Sequence, residues 1–420
     1  MREALMRASA LLAGVLCVAG SAADTLQLAV GDPERKDHKA PVVLDAITDA
    51  RTGEILAPDE LARRLAGTRL LFIGEEHTNS EFHRVQKRVI ESLVASGRKV
   101  LIGLEMFPYT QQSVLDRWLR GKLGERQFLE HWHQHWSYHW GYYQDIFEYA
   151  REHRLPLIAV NVPREVVKIA RKEGFEAFDE KTRRHLPPRI DTESEEHRRL
   201  FAASFAIDDA LHAAIPQAQR EGLYRAQCTW DAAMGWNSAQ ALEQHGGADS
   251  IMIVLLGSGH VAYGLGAERQ LAGYFKDDMR SLIPVSVRGE DGTEVNFVQA
   301  SYADFLWGVP RGIGPEFPVL GVLLAGALGS TPTKIIQVEK NSVAALAGVE
   351  VGDVLVRMDG QAIESSVSLQ RYMARYQWGD AATLEIERGE ESRYLTLVFR
   401  RALEEPSHGP WRSGSGNGTP

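Results

Sequence analysis

The sequence contains little cysteine: two residues in 420, Cys17 and Cys228. Cys17 lies in an N-terminal segment that we expect to be removed, so Cys228 is left alone and no intramolecular disulfide can form. Stability must therefore come from the burial of apolar side chains. The composition, 44% hydrophobic and 25% charged, is that of a globular protein, and the length predicts two domains.

An excess of positive charge is also lacking. The formal net charge is -9, so no basic stripe is available to displace the counterions of a phosphate backbone. This charge argues against nucleic acid as a partner. The sequence contains no H-E-x-x-H helix either, so the common signature of zinc proteases is absent.

The apolar stretch at the N-terminus is too short to span a bilayer comfortably. Residues 1–23 combine two arginines, the apolar core ALLAGVLCVAG and small residues before Asp24, which is the pattern of a signal peptide. We therefore expect a periplasmic or secreted protein, and association with the cell envelope or its membrane is compatible with this pattern. Leu16, which precedes Cys17, is not small, and this argues against a lipoprotein.

Five apolar runs alternate with helical patterns along the chain: LLFIG (70–74), VLIGLEMF (100–107), LIAVNV (157–162), IMIVLLG (251–257) and LIPVSV (282–287). Strands that are apolar throughout are buried on both faces, as in a parallel sheet covered by helices. Residues 192–245 are predicted to form two long helices, which are inserted before the fourth strand. The predicted fold is α/β, with an open, mainly parallel sheet, helices on both faces and a helical insertion.

Polar residues follow four of these strands where each one ends. They are Glu75, Glu76, His77, Glu105, Asn161 and, in the GSGH run, His260. Because the carboxyl ends of parallel strands meet at one edge of the sheet, where ligands bind, we expect these side chains to form a site. Glu75, His77, Glu105 and His260 match the ligand set of a divalent metal, which could activate water for hydrolysis.

Each of these residues also has a purely structural explanation. Glu75 or Glu76 would complement the dipole of the following helix. His260 would pack at the start of its own helix, and Glu105 would pair with an arginine. The convergence of four segments, rather than any single residue, favours a site.

The segment HWHQHWSYHWGYY (131–143) is rich in aromatic residues and histidine. Trp132, Trp136 and Trp140 are spaced by four and would form one stripe on a helix. This stripe would either pack on the sheet or form the wall of a site for a flat, iron-bearing ring, with Tyr or His as axial ligand. Metal binding by surface histidines is a third possibility.

Several of these stretches together resemble the ChaN family, the haem-binding uptake branch of the Tiki superfamily. They are LLFIGEEHTNSEFHRVQ, GLEMFPYTQQSVLDRWLRG, the WGYY region, LIAVNVPREVV, QCTWDAAMGWN and VLLGSGHVAYGLG, and they place a ChaN-like domain at residues 40–295. The resemblance implies a role in haem or iron acquisition. It also implies haem bound through a tyrosine at a subunit interface, and hence a homodimer.

The resemblance suggests residues for each role. Tyr263 and Tyr143 are the candidate haem ligands, with His260 and His77 beside them, and Tyr263 leads because it lies just past the site edge. His83 and Gln86 either line the pocket or only pack. Hydrolases of the same superfamily use a Glu/His site that resembles Glu75, His77, Glu105 and His260. A divalent metal is therefore the alternative cofactor.

A second domain follows a predicted linker at 296–315. Residues 316–402 resemble a bacterial PDZ domain, a small β-rich fold, through KNSVAALAGVEVGDVLVRMDGQAI, and 403–420 should be disordered. The resemblance implies that a short loop binds the C-terminal carboxylate of a partner's peptide. The residues of this loop are Val319, Leu320, Gly321 and Val322.

Three interpretations follow. The first is a cell-envelope haem-binding or iron-uptake protein whose PDZ domain binds a partner. The second is a metal-dependent hydrolase, of peptidase or esterase type, whose PDZ domain presents peptides. The third is a scaffold with a vestigial site.

Overall fold

The computed structural model describes residues 25–204, 217–289, 292–312, 316–325 and 333–401. The predicted signal peptide and the predicted disordered tail lie outside the described residues. The chain divides into two compact units. The first comprises the residues up to Glu316 together with the separate segment Ser366–Arg375.

The first unit is organised around a mixed β-sheet. Its strands are β1 (Lys39–Pro41), β2 (Ile47–Asp49), β3 (Ile55–Leu56), β4 (Thr68–Glu75), β5 (Lys99–Pro108), β6 (Leu157–Asn161), β7 (Ser250–Gly257), β8 (Asp278–Ser286), β9 (Phe297–Gln299) and β10 (Phe305–Val309). Within the described residues, eight of them form one sheet in the order β3-β2-β10-β8-β4-β7-β5-β6. The strands from β10 to β6 are parallel to their neighbours, and β2 and β3 add antiparallel pairs at one end.

The five predicted strands are β4 to β8, and the predicted fold class is confirmed. Helices surround the sheet, with these bounds: α1 (Leu61–Arg64), α2 (Ser80–Ala95), α3 (Gln112–Leu119), α4 (Glu125–His135), α5 (Gln144–Glu152), α6 (Arg164–Lys172), α7 (Glu180–Arg183), α8 (Glu195–Ser204), α9 (Gln217–His245) and α10 (Ala267–Leu271). The helical insertion predicted at 192–245 corresponds to α8 and α9. Among the described helices, none combines the length and the apolar composition that crossing a membrane requires.

The sheet is buried because its central strands are apolar throughout. Leu70 and Phe72 of β4 pack in one core cluster with Met234 and Leu242 of α9. Helix α2 packs against β4 and β5 through an apolar stripe of period 3.6. Its N-terminus is capped by the side chain of Asn79, which accepts a hydrogen bond from the Glu81 amide. The α2 cap and stripe therefore fix the chain that leaves the end of β4.

The linker predicted for 296–315 is wrong as far as Val309. Strand β9 pairs with β1, and β10 inserts between β2 and β8 in the main sheet. The residues of β10 are all buried, including Trp307. A short buried strand beside Gly and Pro residues gives no clear sequence pattern, which explains the error. Residues 313–315 lie outside the described residues.

The second unit is small and rich in β-structure. Its elements are β11 (Val322–Leu324), β12 (Ile335–Val338), α11 (Val343–Leu346), β13 (Val354–Met358), β14 (Gln361–Ala362), β15 (Ala381–Arg388) and β16 (Glu391–Val398). A tight turn joins β13 to β14, where Asp359 and Gly360 both adopt positive φ. Arg388 of β15 donates two hydrogen bonds, of 2.7 and 2.8 Å, to the buried carboxylate of Asp353, in the loop that precedes β13.

Candidate functional site

Four adjacent strands deliver the predicted site residues to one edge of the sheet. Strand β7 lies between β4 and β5, and Gly257 at its end pairs with Glu75 at the end of β4. Glu105 comes from β5, and its carboxylate accepts a hydrogen bond of 2.6 Å from the Gly257 amide. Asn161, at the end of β6, donates a hydrogen bond of 2.9 Å to the Glu105 carbonyl. The strand ends thus meet as the parallel arrangement predicts.

Glu75 is the buried centre of the β4 half of this edge. Its Oε1 accepts hydrogen bonds from His77 Nδ1 at 2.7 Å and from the Tyr143 hydroxyl at 2.6 Å. Its Oε2 accepts from Gln86 Nε2 at 2.5 Å. Burial alone raises the pKa of Glu75, but the charge of His83 and the hydrogen bond from His77 outweigh it and lower the pKa to about 2. Glu75 is therefore an ionised anchor for its neighbours.

His83, on the first turn of α2, balances the charge of Glu75. Its Nδ1 lies 3.0 Å from Gln86 Oε1, and its Nε2 lies 3.2 Å from the His77 carbonyl oxygen. Both partners are acceptors, since the Gln86 amide nitrogen already donates to Glu75. A ring with two acceptors carries two protons, so His83 is a buried imidazolium 3.6 Å from the Glu75 carboxylate.

His77 is held through one nitrogen and presents the other. Because Glu75 accepts from Nδ1, Nε2 is the nitrogen directed toward Gly257, where an added Cβ would lie 3.1 Å from it. The ring contacts Trp136 edge-on at 5.0 Å and Tyr138 at 4.6 Å between centroids. Burial lowers the pKa of His77, but the hydrogen bond to Glu75 gives a net upward shift.

His260 repeats this arrangement on the other side of Glu105. Its Nδ1 lies 2.6 Å from Asp231 Oδ1, and its Nε2 lies 3.5 Å from Glu105 Oε1. Trp230 contacts the ring edge-on at 6.4 Å. Burial lowers the pKa of His260, but the charge of Glu105 and the hydrogen bond to Asp231 produce a net rise. Two imidazoles therefore flank one carboxylate, each with a second carboxylate behind it.

Asp231 is the functional residue that sequence reasoning missed. It lies on α9, is fully buried and is the anchor of His260. The available signal was a single carboxylate in the otherwise apolar run CTWDAAMGW. A buried charge on a helix that packs against the sheet requires a partner, and His260 is that partner.

Tyr263, the leading candidate haem ligand from the sequence, has a structural role instead. Its hydroxyl donates to the Thr25 carbonyl at 2.6 Å and accepts from the Leu28 amide at 3.0 Å. The residue has a φ of +63° and its ring lies in the main core cluster. Burial raises its pKa, which opposes formation of a phenolate ligand. The positive φ turns the side chain inward, and the sequence gives no sign of this.

Tyr143 does lie at the site, but its hydroxyl donates to Glu75. Burial and the adjacent carboxylate raise its pKa well above the ordinary value, so its phenolate form is disfavoured. Tyr143 therefore orients Glu75 rather than presenting an oxygen to a ligand.

The tryptophans of the aromatic segment do not form one helical stripe, because α4 ends at His135. Trp132 and Trp140 pack with Phe128 and Phe147 in an aromatic core. Trp136 lies in the loop that follows α4, against His77. The segment therefore supplies both core and one wall of the site.

Within the described residues, no group of three or more His, Cys, Asp or Glu side chains is arranged to hold a metal ion. Glu75 is engaged by three donors, and one nitrogen of each flanking histidine is engaged by a carboxylate. Cys228 is a buried free thiol.

In the second unit, the predicted carboxylate-binding loop precedes β11. The Leu320 carbonyl accepts from the Ala344 amide at 3.0 Å, and the Gly321 carbonyl accepts from the Glu339 amide at 2.9 Å. In a trans peptide the N–H points opposite to the carbonyl, so the amides of Gly321 and Val322 point away from these donors. Gly321 has a φ of +76°, which glycine adopts without strain.

Comparison with known proteins gives matches for both units. The model of the family "Haem-binding uptake, Tiki superfamily, ChaN" matches residues 61–271, and that of the PDZ domain matches residues 318–398. A curated relative, the chloroplastic Protein RETICULATA-RELATED 5 of Arabidopsis thaliana, is 24% identical over 243 residues. That match covers 54% of this chain and 32% of the plant protein, so the chain spans about a third of that relative.

Among solved structures, ChaN of Campylobacter jejuni, described with cofacial haem binding, is 13% identical with a TM-score of 0.46. The match covers 62% of this chain and 95% of that one. A serine endoprotease of Yersinia pestis is 18% identical over 21% of this chain and 30% of its own, with a TM-score of 0.18. Since the family model spans half of the 420 residues, the chain belongs to the haem-binding uptake family ChaN of the Tiki superfamily, and it carries a PDZ domain after it.

Proposed function

We propose that this chain binds haem as cargo at the Glu/His edge of its sheet and binds a partner's C-terminal peptide through its PDZ domain. The observation that carries the proposal is the pair of imidazoles, His77 and His260, at one edge. Each has its Nδ1 held by a buried carboxylate. The family to which the chain belongs supports haem as the ligand.

The side chains fit an iron porphyrin in two respects. A histidine binds iron through a neutral nitrogen, and a carboxylate at Nδ1 keeps the proton there and leaves the lone pair on Nε2. Glu75 and Asp231 supply these carboxylates. Half-buried aromatic rings beside the imidazoles, Trp136, Tyr138 and Trp230, offer flat apolar surface to a macrocycle. His77 and His260 are therefore the proposed ligands, in place of Tyr263.

A haemin titration of the purified mature protein tests this function. We expect a Soret band that saturates, and a loss of most of the affinity in His77→Ala or His260→Ala. His153→Ala is the matched control, because this exposed histidine stacks on Tyr149 away from the site. Unchanged binding in both site variants would refute the proposed location.

A second candidate function is hydrolysis, and one observation favours it. His260 Nε2 lies 3.5 Å from Glu105 Oε1 while Nδ1 is held by Asp231, which is the arrangement of a general base with an orienting carboxylate. Activity on ester or peptide substrates that survives a chelator but not His260→Ala would support it. Activity that the chelator removes would point to the metal-dependent alternative with Glu75, His77, Glu105 and His260.

Peptide binding by the PDZ domain is supported by the direction of the loop amides. The N–H groups of Gly321 and Val322 point away from the domain's own donors and are available in direction to a carboxylate. C-terminal peptides with a free carboxylate should bind the full-length chain, and the same peptides with an amidated C-terminus should not. Equal binding of both forms would refute recognition of the carboxylate.

We also propose that the protein works in the cell envelope, as the N-terminal sequence suggests. Cleavage before Asp24 would leave Thr25, whose carbonyl accepts from Tyr263, as the second residue of the mature chain. N-terminal sequencing of protein recovered from the periplasm should begin at Asp24. Recovery of the chain from the cytoplasm with its first 23 residues intact would contradict the proposal.

A further inference from the structure

We propose that Asp231 and His197 are positioning residues, which fix the protonated nitrogen of His260 through a buried chain of contacts that starts at Arg269. The inference deepens the proposed function, on which it rests, by identifying the residues that hold the carboxylate behind His260. Asp231, His197 and Arg269 all lie outside the strand ends from which the site was predicted. Each step follows from what its groups can donate or accept.

The first step is the contact between Arg269 and His197. The guanidinium Nη2 lies 3.1 Å from His197 Nδ1, and a guanidinium only donates hydrogen bonds. His197 Nδ1 must therefore be the acceptor. Burial lowers the pKa of His197 to about 4, so the ring is neutral and its single proton is on Nε2. Arg269 is itself fixed by an ion pair with Asp191 and by the Leu265 carbonyl at 2.7 Å.

The second step is the contact between His197 and Asp231. His197 Nε2, which carries the proton, lies 3.3 Å from Asp231 Oδ2. Both side chains are almost completely buried. Oδ2 makes no well-formed hydrogen bond with another described residue, so the neighbouring His197 N–H is the dipole that faces it. This step thus places the N–H dipole of a neutral ring beside a buried carboxylate oxygen.

The third step is the contact between Asp231 and His260. Asp231 Oδ1 lies 2.6 Å from His260 Nδ1, and an ionised carboxylate only accepts. The proton of the neutral imidazole is therefore on Nδ1, and the lone pair is on Nε2. That nitrogen faces Glu105 at the sheet edge. The donors therefore converge on Asp231, which accepts from His260 on one side and faces the N–H of His197, held by Arg269, on the other.

Asp231 and the α9 residues around this chain of contacts lie on adjacent turns of that helix. Gln227 and Asp231 are four residues apart, as are Tyr224 and Cys228, so both pairs lie on adjacent turns. Gln227 Nε2 lies 2.9 Å from His260 Nδ1 and 3.3 Å from Asp231 Oδ1, and because Nδ1 donates to Asp231, the Gln227 amide donates to the same carboxylate oxygen. The Tyr224 hydroxyl lies 3.0 Å from His197 Nδ1. Helix α9 therefore serves as the support for the β7 end of the site.

The same residues resemble a Cys-His-Asp triad, but their chemistry differs. Cys228 Sγ lies 3.9 Å from His197 Nδ1, and the thiol is completely buried. Burial raises the pKa of Cys228 to about 12, with Asp231 acting in the same direction. A nucleophilic cysteine needs a lowered pKa and access to substrate. The cluster therefore positions His260 and does not attack a substrate.

The test is nitrogen-15 NMR of the histidine rings in haem-free protein, at a pH where the His260 ring is neutral. In the wild type we expect the proton of His260 on Nδ1 and that of His197 on Nε2. In Asp231→Asn, which keeps the size of the side chain, the Nε2–H form of His260 should increase. Ser238→Ala is the control, since it removes a different buried polar group of α9, a hydroxyl that donates to the Met234 carbonyl.

Haemin titration then measures the consequence. Loss of an outer-shell partner typically lowers metal affinity about 10- to 100-fold, and we expect this range for Asp231→Asn, partial recovery in Asp231→Glu, and wild-type affinity in Ser238→Ala. Asp231→Asn protein that keeps His260 protonated on Nδ1, or a wild type with the proton on Nε2, would overturn the inference. A wild type that shows the expected ring forms but binds no haem would refute the proposed function and leave the positioning role standing.

Discussion

The two halves of the site hold equivalent imidazoles by different means. The His77 half is local in sequence: Glu75, His77, His83 and Gln86 lie within one strand end and the first turns of α2. The His260 half joins Glu105, Asp231 and His260 from three distant segments. In the first half, the His83 imidazolium balances the charge of Glu75. In the second half, the neutral ring of His197 faces the carboxylate of Asp231. One ligand geometry can therefore rest on two different arrangements of charge around the anchoring carboxylate.

The largest effect should come from removing the charge of Glu75. Glu75→Gln keeps the shape but leaves the His83 imidazolium buried without its counter-ion, which should cost about 3–5 kcal/mol of the free energy of unfolding. Guanidinium denaturation followed by tryptophan fluorescence measures this. The control is Glu76→Gln at the adjacent exposed position, expected to change stability by less than about 0.5 kcal/mol. Equal effects of the two variants would refute the charge balance assigned to the His77 half.

Acid should weaken the same half of the haem-free protein. The pKa of Glu75 is about 2 when folded and 4.5 in its ordinary range, because His83 and the hydrogen bonds outweigh burial. A lowered folded pKa gives stability that is complete above the unfolded pKa and is lost as the pH falls toward the folded one, here about 3 kcal/mol. Denaturation at a series of pH values should show this decline between about pH 5 and pH 2, and Glu75→Gln should flatten it. An unaltered slope in the variant would assign the decline to other carboxylates.

The difference between the halves also explains which parts of the site can be predicted from the sequence. The strand order, the convergence of Glu75, His77, Glu105 and His260, and the candidates His83 and Gln86 follow from apolar runs and the rule for parallel sheets. Asp231 and His197 could not be paired with His260 from sequence, because their contacts depend on how α8 and α9 pack on the sheet. Such packing leaves no periodic signal.

Tyr263 was misassigned for a related reason. Its motif position places it near the edge, but a positive φ and the return of the N-terminal segment over the core direct it inward. Neither feature has a local signature in the residues around Tyr263. The prediction of a linker over the buried strand β10 fails for the same reason, because the pairing of β10 with β2 and β8 is equally non-local.

A smaller effect should follow from filling the space between the halves. In Gly257→Ala, the new Cβ would lie 3.1 Å from His77 Cε1 and Nε2, so the imidazole must move, at a cost of about 1–3 kcal/mol. Haem affinity should fall with it, because Nε2 is the proposed ligand atom. Gly259→Ala is the control, since a Cβ there meets nothing within 4 Å. Full haem affinity in Gly257→Ala would show that Nε2 of His77 does not face the ligand, leaving His260 as the ligand of the site.

The smallest effect is expected at Tyr263, outside both halves. Tyr263→Phe removes the hydroxyl that joins the Thr25 carbonyl and the Leu28 amide, and two backbone groups lose their partner. We expect a loss of about 1–2 kcal/mol in the free energy of unfolding and an unchanged Soret band on haemin titration. The control is Tyr274→Phe, at a ring that is 42% exposed, where neither quantity should change. A Soret band that is weakened in Tyr263→Phe but not in Tyr274→Phe, at a temperature where both variants are fully folded, would return the phenolate to the site and displace the imidazoles as ligands.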